Sequence, residues 1–236
     1  MPSDLSIVLL SLRVAAVAML FALPFGFAVA WLLARRRVRG RFVIEAVVSL
    51  PLALPPVVIG FGLLALLGNR GPLGGLFGDG LAFTWIAASL ASAVVAFPLI
   101  VRSFVVSLEA IDSRLELAAR SLGAGPWRVL LTITVPLAYR GLLAGALLGF
   151  VRALSEFGAT IVVAGNIPGR TQTLPLGIFT RISAGDDAAA VRLVAVSVSL
   201  ALATLLAHDY LLRRGAVGGR RRAWRRGWRR WTDAGA

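Results

Sequence analysis

The chain has 236 residues, of which 58% are hydrophobic and 15% are charged. This composition excludes a water-soluble domain. Twenty-five basic residues against 11 acidic ones give a formal net charge of +14, which favours anionic partners or an anionic membrane surface.

The residue types that are missing restrict the chemistry. The sequence contains no lysine, so it lacks the phosphate-binding lysine of a P-loop ATPase, and ATP hydrolysis would need a separate subunit. It contains no cysteine, which excludes disulfides and thiolate metal ligands. The one histidine, His208, is interpreted as a helix-end residue because a zinc site needs three or four ligands. We therefore expect a chain that is not an enzyme and that binds no metal or cofactor.

Long apolar segments recur along the chain. The first, 14–34, has no charged residue, and as a helix it would be about 31 Å long, matching the ~30 Å hydrocarbon core of a bilayer. We interpret it as an uncleaved helix, not a signal peptide, because its arginines follow it. Comparable segments lie at 42–67, 81–101, 141–164 and 191–211. The pattern predicts an all-α, polytopic integral membrane protein with five transmembrane helices.

Arginines mark one side of the membrane. Five lie in 35–41, five in 102–140 and nine in 213–230, which is 19 of the 25. Because cytoplasmic segments are enriched in arginine, this distribution predicts an external N-terminus and a cytoplasmic C-terminus. We divide the chain into a transmembrane domain, 1–212, and an Arg/Trp-rich cytoplasmic tail, 213–236.

The second apolar segment cannot be a regular helix throughout. It contains Pro51, Pro55 and Pro56, each of which lacks the backbone donor that a helix needs. A break at membrane depth is tolerated where protein or a water-filled cavity satisfies the freed backbone groups, so these prolines are candidates for a transport pathway. A kink that only shapes helix packing is the alternative.

The fourth segment carries both small and charged residues. Gly141, Gly145 and Gly149 lie on one helix face and predict close packing against another helix. Arg152 and Glu156, four residues apart, can neutralise each other on one face. Because intramembrane charges are costly, this pair is a candidate for a pathway or gate, with a purely structural ion pair as the alternative.

The predicted cytoplasmic loop 102–140 contains a short helix at about 113–123. Ser113 and Glu116 match a capping box, and Gly123 is a stop signal. An apolar stripe at helical spacing runs along this helix through Leu115, Ala118, Ala119 and Leu122. A stripe of this kind on a cytoplasmic loop is typical of a helix that docks into a groove on a partner protein.

The tail has a different pattern. Trp224, Trp228 and Trp231 alternate with arginine pairs, so a helical tail would lie on an anionic inner leaflet. A disordered tail that only fixes orientation is the alternative, and nucleic acid is not expected as a partner.

These residues resemble the permease subunits of binding-protein-dependent ABC importers. The family's cytoplasmic signature is Glu-Ala-Ala, three residues, glycine, nine residues and Ile-x-Leu-Pro. Ala118, Ala119 and Gly123 match it, and 133–136 matches with Val135 in place of the leucine. The signature glutamate falls on Leu117, with Glu116 one residue earlier. Within the family the chain is most similar to molybdate permeases, through 11–14, 50–58, 118–129, 155–160 and 166–175.

The resemblance implies the type I ABC importer permease fold, in which two copies surround a central path in the bacterial inner membrane. It implies a cytoplasmic ABC ATPase dimer, which binds the ATP, and a periplasmic oxyanion-binding protein as partners. The helix at 113–123 would be the coupling helix seated in the ATPase. Ser155, which stands where the family often has glycine, would be a further pathway residue, and the glycine face is a candidate contact between the two copies.

Two alternatives stay open at this point. Sulfate, thiosulfate or tungstate could be the cargo, because these ions and molybdate are closely similar tetrahedral dianions. A channel or secondary transporter that uses Glu156 without an ATPase is the alternative from another class, although the sequence has no inverted internal repeat to favour it.

Overall fold

The structure is a computed structural model that describes residues 3–34, 39–69, 71–74 and 80–232, with side chains described as far as residue 213. The regular elements in these ranges are helical, as the hydropathy pattern predicts. They are α1 (Asp4–Ala34), α2 (Arg41–Ala53), α3 (Pro56–Leu67), α4 (Trp85–Glu109), α5 (Ser113–Ser121), α6 (Pro126–Val129), α7 (Val135–Leu154), α8 (Gly158–Val163), α9 (Leu174–Ser183) and α10 (Asp187–Thr232). A π-helical segment, Leu130–Thr134, joins α6 to α7.

The centre of the molecule is α4, which packs against α1 and α7. Alanines at this contact, among them Ala18, Ala22 and Ala96, are almost completely buried. Small side chains let helix backbones approach closely, which is how helices pack where lipid removes the hydrophobic driving force between them. A second cluster joins α1 and α4 to α3 and α8 through Val14, Ile59 and Val163.

Among the described residues, the structure has four or five candidate membrane spans, against five predicted from the sequence. Four helical stretches are long and apolar enough to cross a membrane: Asp4–Ala34, Trp85–Glu109, Pro126–Leu154 and Asp187–Arg213. The fifth candidate is the pair α2 and α3, whose axes differ by 105°. The predicted irregularity of the second span is therefore confirmed within the described residues.

Two predicted boundaries are wrong. The span expected at 141–164 ends at Leu154, and the cytoplasmic loop expected at 102–140 shrinks, because α4 continues to Glu109 and helix resumes at Pro126. The polar residues on these turns are compatible with helix and find partners there, as Arg102 does when it donates to Ser49 Oγ at 2.9 Å. Hydropathy locates the apolar part of a helix and misses its polar ends.

The last helix, α10, runs without interruption from Asp187 to Thr232. The glycines of the tail do not end it. The side chains of Trp224, Trp228 and Trp231 lie outside the described side chains, as do the arginines at 35–37, so the predicted lipid-facing stripe of the tail stays a prediction.

Candidate functional site

Adjacent prolines produce the first helix break. In a continuous helix, the nitrogens of Pro55 and Pro56 would bond to the carbonyls of Pro51 and Leu52, and neither proline can donate. The chain therefore turns extended at Leu54, where ψ is 142°, and Pro56 starts α3 at the position where proline is best tolerated. The axes of α2 and α3 consequently differ by 105° across this break.

The second break lies between α7 and α8 and holds the predicted ion pair. Arg152 Nη1 is 2.9 Å from Glu156 Oε2, and the side chain of Glu156 is only 2% exposed. The other carboxylate oxygen, Oε1, accepts a hydrogen bond of 2.8 Å from the amide of Ala159 in the first turn of α8. Because the carboxylate has both a cation and a backbone donor, its burial is compensated.

The geometry of this pair differs from the prediction. The sequence places Arg152 and Glu156 on one face of a continuous helix, whereas α7 ends at Leu154 and Glu156 follows it. The carboxylate reaches back to Arg152 and forward to α8, so it joins the two sides of the break. Ser155 is exposed and donates only to the carbonyl of Arg152, at 3.1 Å.

The two breaks lie against each other. A Cβ built on Gly60 of α3 would lie 2.6 Å from the carbonyl oxygen of Ala159, and a Cβ on Gly158 of α8 would lie 2.9 Å from Pro56 Cβ. Neither glycine can carry a side chain without moving the other helix. The structure thus brings Pro55, Pro56 and Glu156 into one region, which we call the paired breaks.

Pro51 lies apart from this region. It lines an apolar cavity of about 380 Å³ together with Phe21, Phe25 and Phe97. A cavity walled by aromatic rings offers no polar group to an ion, so the structure separates Pro51 from the other two prolines that the sequence grouped with it.

The predicted cytoplasmic helix is present, with one correction at its start. Asp112, not Ser113, is the N-cap, and its carboxylate accepts from the amide of Arg114 at 3.0 Å. The stop signal is confirmed: Gly123 has φ of 84°, and the amides of Gly123 and Ala124 bond to the carbonyls of Arg120 and Ala119 as in a Schellman motif.

Because Ser113 is not the cap, Glu116 is free to make a different contact. Its Oε1 accepts a hydrogen bond of 2.6 Å from Thr134 Oγ1 in the π-helical segment that leads into α7. Thr134 is 4% exposed. The predicted capping box is therefore wrong, and Glu116 connects α5 to the π-helical segment that leads into α7.

The apolar stripe of α5 faces away from the rest of the chain. Leu122 is 88% exposed and Leu115 is 48% exposed, and no residue of α5 is buried. Exposed leucines beside small alanines are typical of a surface that another protein covers.

The glycine face of α7 has a partner inside the chain. Cβ atoms on Gly141, Gly145 and Gly149 would meet Ser107, Ser103 and Ile100 of α4. The predicted close helix packing is confirmed, and this face is not available as a contact between two copies of the chain.

Several residues of the site carry no signal in the sequence. Thr134 is 18 residues from Glu116 and nothing in its local pattern connects the two. Gly60 and Gly158 are glycines inside apolar segments. This pattern indicates close packing against another helix and does not indicate which helix. Asp112 was an equally good cap that the Ser113 pattern obscured.

The chain is similar to known transport proteins. It is 48% identical to the molybdenum transport system permease protein ModB of Escherichia coli (strain K12) over 211 residues, 87% of this chain and 92% of that protein. It is 48% identical to ModB of Haemophilus influenzae over 216 residues, 89% of this chain and 94% of that protein. The sulfate transport system permease protein CysT of E. coli (strain K12) is 35% identical, over 83% of this chain and 72% of that protein.

The fold is similar to solved structures of ABC transporters. A chain of the inward-facing MetNI methionine ABC transporter superposes with a TM-score of 0.70 at 20% identity, covering 87% of this chain and 93% of that chain. The helical spans, the broken pair and the exposed helix α5 thus have the fold of the membrane chain of an ABC transporter. The family described as binding-protein-dependent transport system inner membrane component matches residues 22–216, and the chain belongs to it. It is a membrane permease subunit and not an enzyme.

Proposed function

We propose that this chain is the permease subunit of an ATP-driven importer of molybdate. The observation that carries the proposal is the 48% identity, over almost the whole length of both chains, to two permeases of molybdenum transport systems. The sulfate permease is a more distant relative at 35%, which supports molybdate over sulfate as the cargo.

In the proposed arrangement, α2 and α3 form one broken span, so the chain crosses the membrane five times with its N-terminus outside. The arginine distribution supports this orientation, which puts α5 and the tail 213–236 in the cytoplasm and leaves 1–212 as the permease domain. The outer end then contains the Asp4 carboxylate, which pairs with Arg181 and Arg192.

The partners follow from the exposed surfaces. The stripe around Leu122 seats on a cytoplasmic ABC ATPase, which supplies the ATP site that this lysine-free chain lacks. A second copy of the chain completes the path. The exposed side chains of Val57 and Phe61 beside the paired breaks offer a contact surface for this copy, whereas the glycine face is already packed against α4. A periplasmic protein delivers the oxyanion; in one solved relative of similar fold, an alginate ABC transporter, such a protein is bound.

The paired breaks are the proposed pathway element. ATP binding draws the two ATPases together and displaces α5, and the Glu116 to Thr134 contact passes this displacement to α7. Because Arg152 in the last turn of α7 pairs with Glu156, which also binds the first turn of α8, movement of α7 shifts α8 together with α3, which packs against it. The dimer would alternate between outward-open and inward-open states in this way.

ATPase activity of the complete complex tests the proposal. The permease, its ATPase and the binding protein are reconstituted together, and molybdate, tungstate and sulfate are compared as stimulants. We expect molybdate to stimulate hydrolysis at lower concentration than sulfate. Stimulation by sulfate alone would contradict the cargo assignment, and oxyanion flux through the chain without the ATPase would contradict the mechanism.

A further inference from the structure

A cavity at the N-terminal end of α4 lies outside the proposed pathway. It has a volume of about 380 Å³ and is lined by Arg13 of α1, Trp85 of α4 and Arg170 of the loop before α9, with Leu10, Phe83 and Ile86 as its apolar side. We propose that this cavity is a binding site for a tetrahedral oxyanion group, held between the guanidinium groups of Arg13 and Arg170.

Within the part of the chain that the structure describes, the charge of the two arginines is not balanced by a carboxylate. The other two arginines described at this end, Arg181 and Arg192, pair with Asp4 at 3.4 and 3.1 Å. Among the described residues, no carboxylate forms an ion pair with Arg13 or Arg170. Two cations that line one cavity repel each other, so an anion between them would be favoured.

The position of Arg13 is fixed by an aromatic ring. Its guanidinium carbon lies 3.8 Å from the centroid of the Trp85 ring. Stacking on the ring face sets the plane of the guanidinium and leaves its N–H donors at the edge, where they can pair with two oxygens of a phosphate-like group. Arg13 is therefore organised for oxyanion recognition before any ligand binds.

The backbone at this cavity is also unusual. Phe83 has φ of 59°, a conformation that costs energy for a bulky residue, and it is held by a hydrogen bond of 2.9 Å from its amide to the carbonyl of Val163. The ring of Phe83 is half exposed. This conformation places an apolar side chain at the edge of a cationic cavity.

The combination of cations, an indole ring and apolar side chains fits the boundary between lipid headgroups and hydrocarbon. The oxyanion could come from the phosphate of an anionic phospholipid or from the free cargo ion. Both offer the same chemistry to the two arginines. The free-ion source rests on the proposed function, and the lipid source does not.

Two measurements on the permease–ATPase complex distinguish the sources. In nanodiscs of phosphatidylcholine, molybdate is titrated while tryptophan fluorescence is followed, with Trp85→Phe identifying the signal of that ring among the six tryptophans. In membranes that contain phosphatidylglycerol, the anionic lipid that stays bound after purification is counted by native mass spectrometry. Arg13→Gln, Arg170→Gln and the double variant are compared with Arg192→Gln, which removes the same charge from a paired arginine at the same end.

We expect saturable binding of molybdate, retention of phosphatidylglycerol, or both, with each single variant about tenfold weaker because a charge-assisted contact is lost. The double variant should bind neither ligand, and Arg192→Gln should behave as wild type. If the double variant matches Arg192→Gln in both measurements, the site does not exist. Absence of molybdate-stimulated ATPase activity in the wild-type complex, with these binding results unchanged, would instead contradict the proposed function.

Discussion

The Arg152 and Glu156 pair is the residue-scale feature on which the pathway depends. Replacing either partner leaves the other charge without its ion-pair partner in a mostly buried position, so we expect Arg152→Gln and Glu156→Gln each to reduce molybdate uptake strongly. The double variant should lose less molybdate uptake than the sum of the losses in the two single variants. A double-mutant cycle on transport should give an interaction energy of about 0.5–3 kcal/mol.

An exposed ion pair provides the control for this cycle. Arg41 Nη2 lies 3.0 Å from Glu109 Oε1, and both side chains are more than one-third exposed. The same cycle on this pair should give an interaction energy of roughly 0–1 kcal/mol because solvent screens it. If both cycles give similar values, the pair at the break has no special role in transport.

The contact between Glu116 and Thr134 is a second residue-scale feature. Thr134→Val keeps the shape of the side chain and removes the hydroxyl that donates to Glu116. We expect the ATPase to stay bound while the amount of molybdate imported per ATP falls, because α5 and α7 are no longer tied together. Thr132→Val is the matched control, since the Thr132 hydroxyl donates only within its own helix, to Arg128. If both variants import the same amount of molybdate per ATP, the contact between Glu116 and Thr134 does not pass the movement of α5 to α7.

At the scale of elements, α5 offers one face to a partner. Leu122→Gln removes the most exposed leucine of the stripe, and we expect it to lower co-purification with the ATPase. Leu117→Gln changes a leucine that is also exposed but lies beside the stripe, and its effect should be smaller. If Leu117→Gln lowers co-purification more than Leu122→Gln does, the docking face is centred on Leu117, the position where the family has glutamate.

The packing of α7 on α4 is the second element-scale feature. A Cβ at Gly145 would lie 2.7 Å from Ser103 Cβ, whereas one at Gly62 of α3 meets nothing within 4 Å. Gly145→Ala should lower the free energy of unfolding by about 1–3 kcal/mol through overpacking. Gly62→Ala should raise it by up to about 1 kcal/mol because helical glycine costs backbone entropy. Thermal unfolding of the purified chain measures both.

Elements were predictable from sequence where one local cause determines them. Adjacent prolines stop α2, and a glycine with positive φ ends α5, so both positions followed from residue chemistry alone. The partners of Glu116, Gly145 and Glu156 depend on which helices meet, and no local pattern contains that information. The capping box failed for a related reason, because two neighbouring residues could cap the same helix and the contact with Thr134 decided between them.

At the scale of the whole molecule, the orientation in the membrane can be tested directly. A reporter active only in the cytoplasm, inserted after Gly123, should be active, and one inserted after Gly185 should be inactive. Both glycines have positive φ and space around them, so insertions there disturb little. The opposite result would mean that the orientation is inverted or that α2 and α3 do not cross the membrane as one span. Activity at both positions would mean that the stretch Pro126–Leu154, which lies between them, does not cross.

The paired breaks limit how the molecule can change shape. Gly60 lies against the backbone of Ala159, and Gly158 lies against Pro56, with no space for a methyl group at either contact. A tilt of α8 therefore has to displace α3, and the reverse also holds. We therefore expect the two short helices to move together, since an intermediate with only one of them shifted would have to open a void or create a clash.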